Sequence, residues 1–178
     1  EGAVVMQPVV RGGRVYVGSF DGTFYAVDVA SGVEVWRFED ARNWYWASPI
    51  AVEQLIYAPS LDGNLYALDI DTGELRWTLK TEGAIIGSPA VVHDMIAVPS
   101  TDGKIRLARL RDGSERDACN VGEDIRTPLV EHDGTIYFGA RDRSIRALRI
   151  KQSGNPDEEW VHFTDKDDPL PRDRAPAC

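Results

Sequence analysis

The sequence is poor in cysteine and histidine and has no long apolar stretch. Its 178 residues include two cysteines and three histidines. Cys119 and Cys178 make neither a disulfide framework nor a zinc site, and they leave the redox compartment open. No uncharged apolar run approaches the roughly 18 residues of a spanning helix, so no membrane span is expected in this segment. No signal peptide stands at the start and the first residue is Glu1, so a processed product or a piece of something longer is expected. Basic side chains are also scarce. Lys and Arg number 20 against 29 Asp and Glu, a formal net charge of -9. Phosphate binding needs a basic face, which argues against nucleic acid as a partner. Residues 101–151 are the exception, with 11 basic and 9 acidic side chains. The two signs interleave there, as on a solvated face of mixed charge.

What the sequence does have is a repeat. A turn dipeptide occurs as Asp21-Gly22, Asp62-Gly63 and Asp102-Gly103, with Asp142-Arg143 in the fourth place. A proline opens an apolar run at Pro8, Pro49, Pro89 and Pro128, and a second turn glycine occurs at Gly32, Gly73, Gly113 and Gly154. All three markers keep a period of 39 to 41 residues.

Each period reads as four short strands. The first follows the proline, as in Ile50-Ala51-Val52, and the second is apolar and β-branched, as in Met95 to Val98. The third follows the Asp-Gly turn, as in Leu65 to Ile70, and the fourth carries a tryptophan or its substitute, as in Val33 to Phe38. Runs of this length between Gly and Asp turns predict strands. Asp-Gly suits a tight hairpin because glycine takes a positive φ without strain. Four strands in about 40 residues is the metre of a propeller blade. A lone blade buries too little to stand by itself, so neighbours must cover both its faces. The expected fold is an all-β propeller with four blades at 1–40, 41–81, 82–121 and 122–164. The segment 165–178, with Pro169, Pro171 and Pro176 among charges, is expected to be an extended tail.

Ala26, Asp28, Gly32 and Trp36 follow the pattern Ala-x-Asp-x-x-x-Gly-x-x-x-Trp, and Ala67, Asp69, Gly73 and Trp77 repeat it. This resembles the tryptophan-docking motif of the pyrroloquinoline-quinone-type (PQQ-like) repeat propellers. The resemblance implies that the indole packs between adjacent blades and that Asp28 and Asp69 tie down the turn. It also implies a ring of seven or eight blades, of which four are present here. Half of a longer protein, two chains completing one ring and a small closed ring are the alternatives. A fragment or subunit whose ring is completed by other protein is the expectation, since open blade edges would otherwise invite aggregation. In the third repeat Arg109 and Asp117 replace the aspartate and the tryptophan; in the fourth, Arg149 replaces the aspartate and Trp160 arrives two residues late. Trp36 and Trp77 are therefore expected to hold the firmer interfaces.

Members of the resembled family that are quinoprotein dehydrogenases hold the quinone with calcium, acidic and amide ligands and a vicinal cysteine pair. This chain has no Cys-Cys pair and no alignable Glu, Asn and Asp cluster, so no cofactor, metal or catalytic residue is assigned. His93 and His132 read as turn residues at one repeat position, each followed by Asp. The clearest departure between repeats is Asn43-Trp44-Tyr45-Trp46, aligned with Ala3-Val4-Val5, Ala84-Ile85-Ile86 and Glu123-Asp124-Ile125. Three consecutive aromatics in a connecting loop are candidates for recognition, with burial under a neighbouring blade as the alternative. Arg126, aligned with Met6, Ala47 and Gly87, is a second candidate, with an ion pair to Glu123 or Asp124 as the plainer account.

The function expected is a non-catalytic scaffold for a protein partner, similar to the propeller lipoproteins of outer-membrane assembly. The resemblance implies an extracytoplasmic location, periplasmic or cell-surface. A ligand-binding or sensory propeller and a fragment of a quinoprotein oxidoreductase are the alternatives.

Overall fold

Every repeat folds into one antiparallel meander. The structure is a computed structural model and describes residues 2–164, so the expected tail at 165–178 lies outside the described residues. The first sheet holds β1 (Val9–Arg11), β2 (Arg14–Gly18), β3 (Phe24–Asp28) and β4 (Glu34–Phe38). The second holds β5 (Ile50–Val52), β6 (Leu55–Pro59), β7 (Asn64–Asp69) and β8 (Leu75–Lys80). The third holds β9 (Ala90–Val92), β10 (Met95–Pro99), β11 (Lys104–Arg109) and β12 (Glu115–Asn120). The fourth holds β13 (Val130–His132), β14 (Thr135–Gly139), β15 (Ser144–Ile150) and β16 (Pro156–Phe163). In each sheet the strands lie side by side in chain order, and no helix occurs among the described residues.

The turns explain the register. In the second turn of each blade the Asp side chain accepts the N–H of the residue two places on. The pairs are Asp21 with Thr23, Asp62 with Asn64, Asp102 with Lys104 and Asp142 with Ser144. Gly22, Gly63 and Gly103 then take φ between 82° and 85°, and Arg143 takes 66° in the fourth blade. A bulge between the third and fourth strands recurs at one place in all four sheets, directly after Ala26, Ala67, Leu107 and Ala147.

The bulge sets Ala26 opposite Trp36, Ala67 opposite Trp77 and Ala147 opposite Trp160. Trp160 is thus in structural register although it comes late in the sequence. The extra residues are taken up by the turn and by the early start of β16 at Pro156.

Burial shows how the sheets stack. One apolar cluster joins Tyr16, Phe24, Trp36 and Phe38 of the first sheet to Ile56, Ala58, Tyr66 and Leu68 of the second. Another joins Tyr57, Leu65 and Ala67 to Ile96, Val98 and Ala108, and a third joins Ala97, Ile105 and Leu107 to Ile136, Phe138 and Leu148. The second and third sheets are therefore buried on both faces. That is why β6 and β10 are almost continuously apolar rather than alternating. In the first and fourth sheets burial alternates along β2 and β3, and along β14 and β15, because one face of each lacks a neighbour. Among the described residues no cluster joins the fourth sheet to the first. The chain is a partial β-propeller of four blades.

Candidate functional site

At the first junction two donors from one blade converge on one carbonyl of the next. Trp36 Nε1 and Tyr16 Oη donate to Ile70 O at 3.2 and 3.1 Å. At the second junction Trp77 Nε1 and Tyr57 Oη donate to Leu110 O at 3.1 and 2.9 Å. The rings form a tilted pair each time, with centroids 5.8 Å apart for Tyr16–Trp36 and 5.5 Å for Tyr57–Trp77. The indoles lie on the receiving turns at Gly73 and Gly113, where a Cβ would come within 2.6 and 2.5 Å of the ring. Asp28 holds the preceding turn by accepting from the N–H groups of Ala30 and Ser31, and Asp69 does the same for Asp71 and Thr72. Arg76 lies 2.8 Å from Asp69 and is the main reason its carboxyl is held at about 2.

The third junction replaces these parts. Ala97 and Asp117 stand where the others have Tyr and Trp. His93, in the β9–β10 turn at φ 55°, hydrogen-bonds through Nε2 to Ile150 O at 3.0 Å, and Ile150 is the counterpart of Ile70 and Leu110. Asn155 Nδ2 donates to Asp117 Oδ2 at 3.1 Å. His93 is therefore a cross-blade tie. His132 is not its equivalent: it pairs with Thr135 as Val92 pairs with Met95, so Asp133 matches His93.

Behind the Asp-Gly turns runs a second series of ties. Asp21 and Asp62 accept from Tyr25 Oη and Tyr66 Oη at 3.0 and 2.7 Å. In the third and fourth blades an arginine takes over, with Arg106–Asp102 at 2.7 Å and Arg146–Asp142 at 2.6 Å, all four side chains buried. Burial pushes the Asp102 carboxyl up, but the N–H of Glu82 and the Arg106 guanidinium outweigh it and the carboxyl sits below its ordinary range.

The linker between β4 and β5 carries the aromatic run. Tyr45 is fully buried, with its ring 5.4 Å from Phe24 and, among the described residues, no hydrogen-bond partner for its hydroxyl. It fits because residue 18 is glycine; a Cβ there would lie 2.3 Å from Tyr45 Cβ. Trp44 and Trp46 point outward, 49% and 48% exposed. Phe20 stacks with both, at 4.9 Å and 14° on Trp44 and at 5.5 Å and 19° on Trp46. Asn43 Oδ1 accepts the N–H of Trp44 at 2.8 Å. Leu61 N–H donates to Trp44 O, as Thr101 donates to Ala84 O and Arg141 to Asp124 O, so Trp44, Ala84 and Asp124 are equivalent.

This shifts the fourth repeat by one place from the sequence alignment. Arg126 matches Trp46 and Ile86, and Thr127 matches Ala47 and Gly87. Pro128 misled that alignment by standing one residue early, since Leu129 is the residue directly before β13. Where the first linker has two indoles, the third has an ion pair: Arg126 Nη2 lies 3.0 Å from Asp124 Oδ2, with Arg141 at 3.4 Å. Phe20 was not singled out from sequence. Its signal is that it precedes the turn Asp where other repeats have Leu61, Thr101 and Arg141.

Among the described residues no group of three or more His, Cys, Asp or Glu side chains is placed to hold a metal ion, and no helix is long and apolar enough to cross a membrane.

No curated protein matches the chain in sequence. Among solved structures it is similar to BamB from Moraxella catarrhalis, with 21% identity and a TM-score of 0.77 over 90% of this chain and 49% of that one. It is also similar to the computationally designed Ika4 protein, at 20% identity and a TM-score of 0.76 over 85% of this chain and 93% of that one. A europium-containing methanol dehydrogenase is similar at 17% identity and a TM-score of 0.76, over 91% of this chain and 42% of that one. At these identities the likeness is one of fold, and the chain spans about half the length of BamB. The family model described as outer membrane protein assembly factor BamB matches residues 1–162. Four PQQ-like blades in register across that whole match mean that the chain belongs to the BamB family of PQQ-like repeat propellers.

Proposed function

We propose that this chain is a non-catalytic propeller scaffold that binds a protein partner through the Trp44–Phe20–Trp46 stack. The observation that carries the reading is the stack itself. Two half-exposed indoles are held on a rigid frame by Phe20 between them and by the buried Tyr45 beneath them in the chain. Exposed aromatic surface is costly in water, and tryptophan is among the commonest anchors of protein interfaces. The family's description as an assembly factor for outer membrane proteins supports a protein partner and an extracytoplasmic setting, in the periplasm or at the cell surface.

The test is a partner recovered from extracytoplasmic extract, with its affinity then measured against variants. Trp44→Ala and Trp46→Ala should each weaken binding by about 30-fold, as for interface hot spots, with melting unchanged. Binding that survives both substitutions contradicts the reading. A second reading, part of a quinoprotein oxidoreductase, is favoured by the methanol dehydrogenase likeness. A melting shift with calcium and quinone together would support it over the scaffold.

A further inference from the structure

The third blade carries two arginines where blades two and four carry an ion pair. Two repeat positions meet at the turn between the third and fourth strands. The first is Asp28, Asp69, Arg109 and Arg149. In blades one to three its N–H donates to Val33 O, Glu74 O and Ser114 O, and in blade four Arg149 pairs with Asp157. The second is the extra residue of the bulge, which is Val35, Arg76, Arg116 and Glu159. In blade two Asp69 and Arg76 lie 2.8 Å apart. In blade four the signs are exchanged, and Arg149 lies 3.9 Å from Glu159. Side chains at these two positions therefore reach each other in either order of charge. In blade three both are cations, Arg109 and Arg116.

Among the described residues neither guanidinium has a hydrogen bond or an ion pair. The carboxylates around them are engaged elsewhere. Asp112 accepts from the N–H and hydroxyl of Ser114 and lies 3.3 Å from Arg111. Asp117 accepts from Asn155, and Asp157 lies 3.2 Å from Lys151. Glu115 lines a groove on the blade-two side with Lys80 and Lys104. Nor does the turn need Arg109, because Asp112 does here what Asp28 and Asp69 do in the first two blades. Arg116 leans the other way. A Cβ on Gly154 would come within 3.3 Å of the Arg116 Cβ, so its stem lies on the blade-four turn while the side chain as a whole stays exposed. Like charges held side by side repel, and an anion between them relieves the repulsion.

We propose that Arg109 and Arg116 form a binding site for a small oxyanion, a phosphate or carboxylate group, at the end of blade three away from the Trp44 stack. Each guanidinium offers a fork of N–H donors that matches two oxygens on one centre. Blade two shows the place. There the Asp69 carboxylate is itself an oxyanion held by Arg76. In blade three the bound group takes the position of that carboxylate against Arg116, and Arg109 reaches it from the strand where Asp69 would be anchored. The net charge of -9 repels polyanions at longer range, which favours a small ligand over a charged polymer. The site stands on blade three alone and does not rest on the scaffold reading.

The experiment is titration calorimetry of the full chain in a buffer free of oxyanions at constant ionic strength. Sodium phosphate and sodium acetate are the two probes. Wild type should bind phosphate with a dissociation constant on the order of 1 mM, as suits an open site with two charged donors. Acetate binding as well would extend the site to carboxylates, and phosphate binding alone would restrict it to phosphate groups. Arg109→Asp installs the pair of blade two, and Arg116→Glu installs the pair of blade four. Each should weaken binding at least tenfold. Without anion, each should also melt about 1–2 °C above wild type, because a repulsion has become an attraction. Arg111→Gln, in the same turn but paired with Asp112, should bind phosphate as wild type does. No heat from either probe with wild type, binding that survives both charge reversals, or lower melting in both variants would overturn the proposal. Trp44→Ala should leave phosphate binding unchanged, so this site and the aromatic stack fail or stand separately.

Discussion

The indole of Trp36 lies directly on Gly73, where a Cβ would stand 2.6 Å from ring atom Cε3. Blade two at Gly73, and blade three at Gly113, are thus cut to receive the preceding blade's tryptophan. Gly73→Ala should lose about 1 kcal/mol from the left-handed backbone and a further ~1–3 kcal/mol from displacing the ring. Gly122 is the control, with φ 81° and nothing within 4 Å of its Cβ position, so Gly122→Ala should lose only the backbone part. Equal losses in denaturant unfolding would contradict the fitted contact.

Trp36→Ala should cost about 3–5 kcal/mol, because it empties a buried site between two blades. Trp36→Phe keeps most of the packing and removes one donor to Ile70 O, which still receives Tyr16 Oη. That variant should cost roughly 1 kcal/mol beyond the lost ring volume. Unfolding curves distinguish the two, and a negligible effect of Trp36→Ala would count against the joint.

The period, the strands and the turns were legible in the sequence because they rest on local chemistry. Asp-Gly turns, β-branched runs and the Ala…Trp spacing all act within one blade. What was not legible depends on contacts between blades. His93 looked like a turn residue, and only the approach of Ile150 makes it a tie. Trp160 looked displaced, because a bulge and a longer turn restore its register. The aromatic run looked uniform, yet alternation along the chain buries Tyr45 and exposes Trp44 and Trp46. Phe20, the ring between them, lies 24 residues before Trp44 and carries no local mark.

The Tyr45 hydroxyl is buried without a partner among the described residues, and burial raises its pKa far above the ordinary tyrosine value. An unsatisfied buried polar atom costs about 1–3 kcal/mol, so Tyr45→Phe should leave stability unchanged or raise it by up to roughly that amount. A clear fall in melting temperature would mean that the hydroxyl has a partner after all.

The Asp102–Arg106 pair is buried on both sides. Arg106→Ala leaves a buried carboxylate with its N–H donors alone and should cost about 3 kcal/mol or more. Arg106→Tyr installs the donor that Tyr66 supplies to Asp62 one blade earlier and should recover a large part of the loss. If Tyr is no better than Ala at this position, the two kinds of tie are not interchangeable.

Asp69 links stability to acid. Its carboxyl is lowered from 3.8 to about 2, first by the Arg76 hydrogen bond and then by the turn N–H groups, which outweigh its desolvation. A depressed carboxyl contributes stability that is fully present above the unfolded value and is lost as pH falls through the folded value. The window is therefore pH 4 down to about 2. Asp69→Asn should lower stability at neutral pH and flatten the slope within that window. An unchanged slope would remove Asp69 from the acid response.

The account turns on the Trp44–Phe20–Trp46 stack meeting another protein, and site-specific photo-cross-linking in the native compartment tests this directly. A photoreactive side chain at position 44 or 46 should give protein adducts of higher mass that disappear with Phe20→Ala. The same probe at Gln54, in a hairpin at the other end of the strands, should give none of them. Adducts from Gln54 alone, or none from positions 44 and 46, would contradict the assignment.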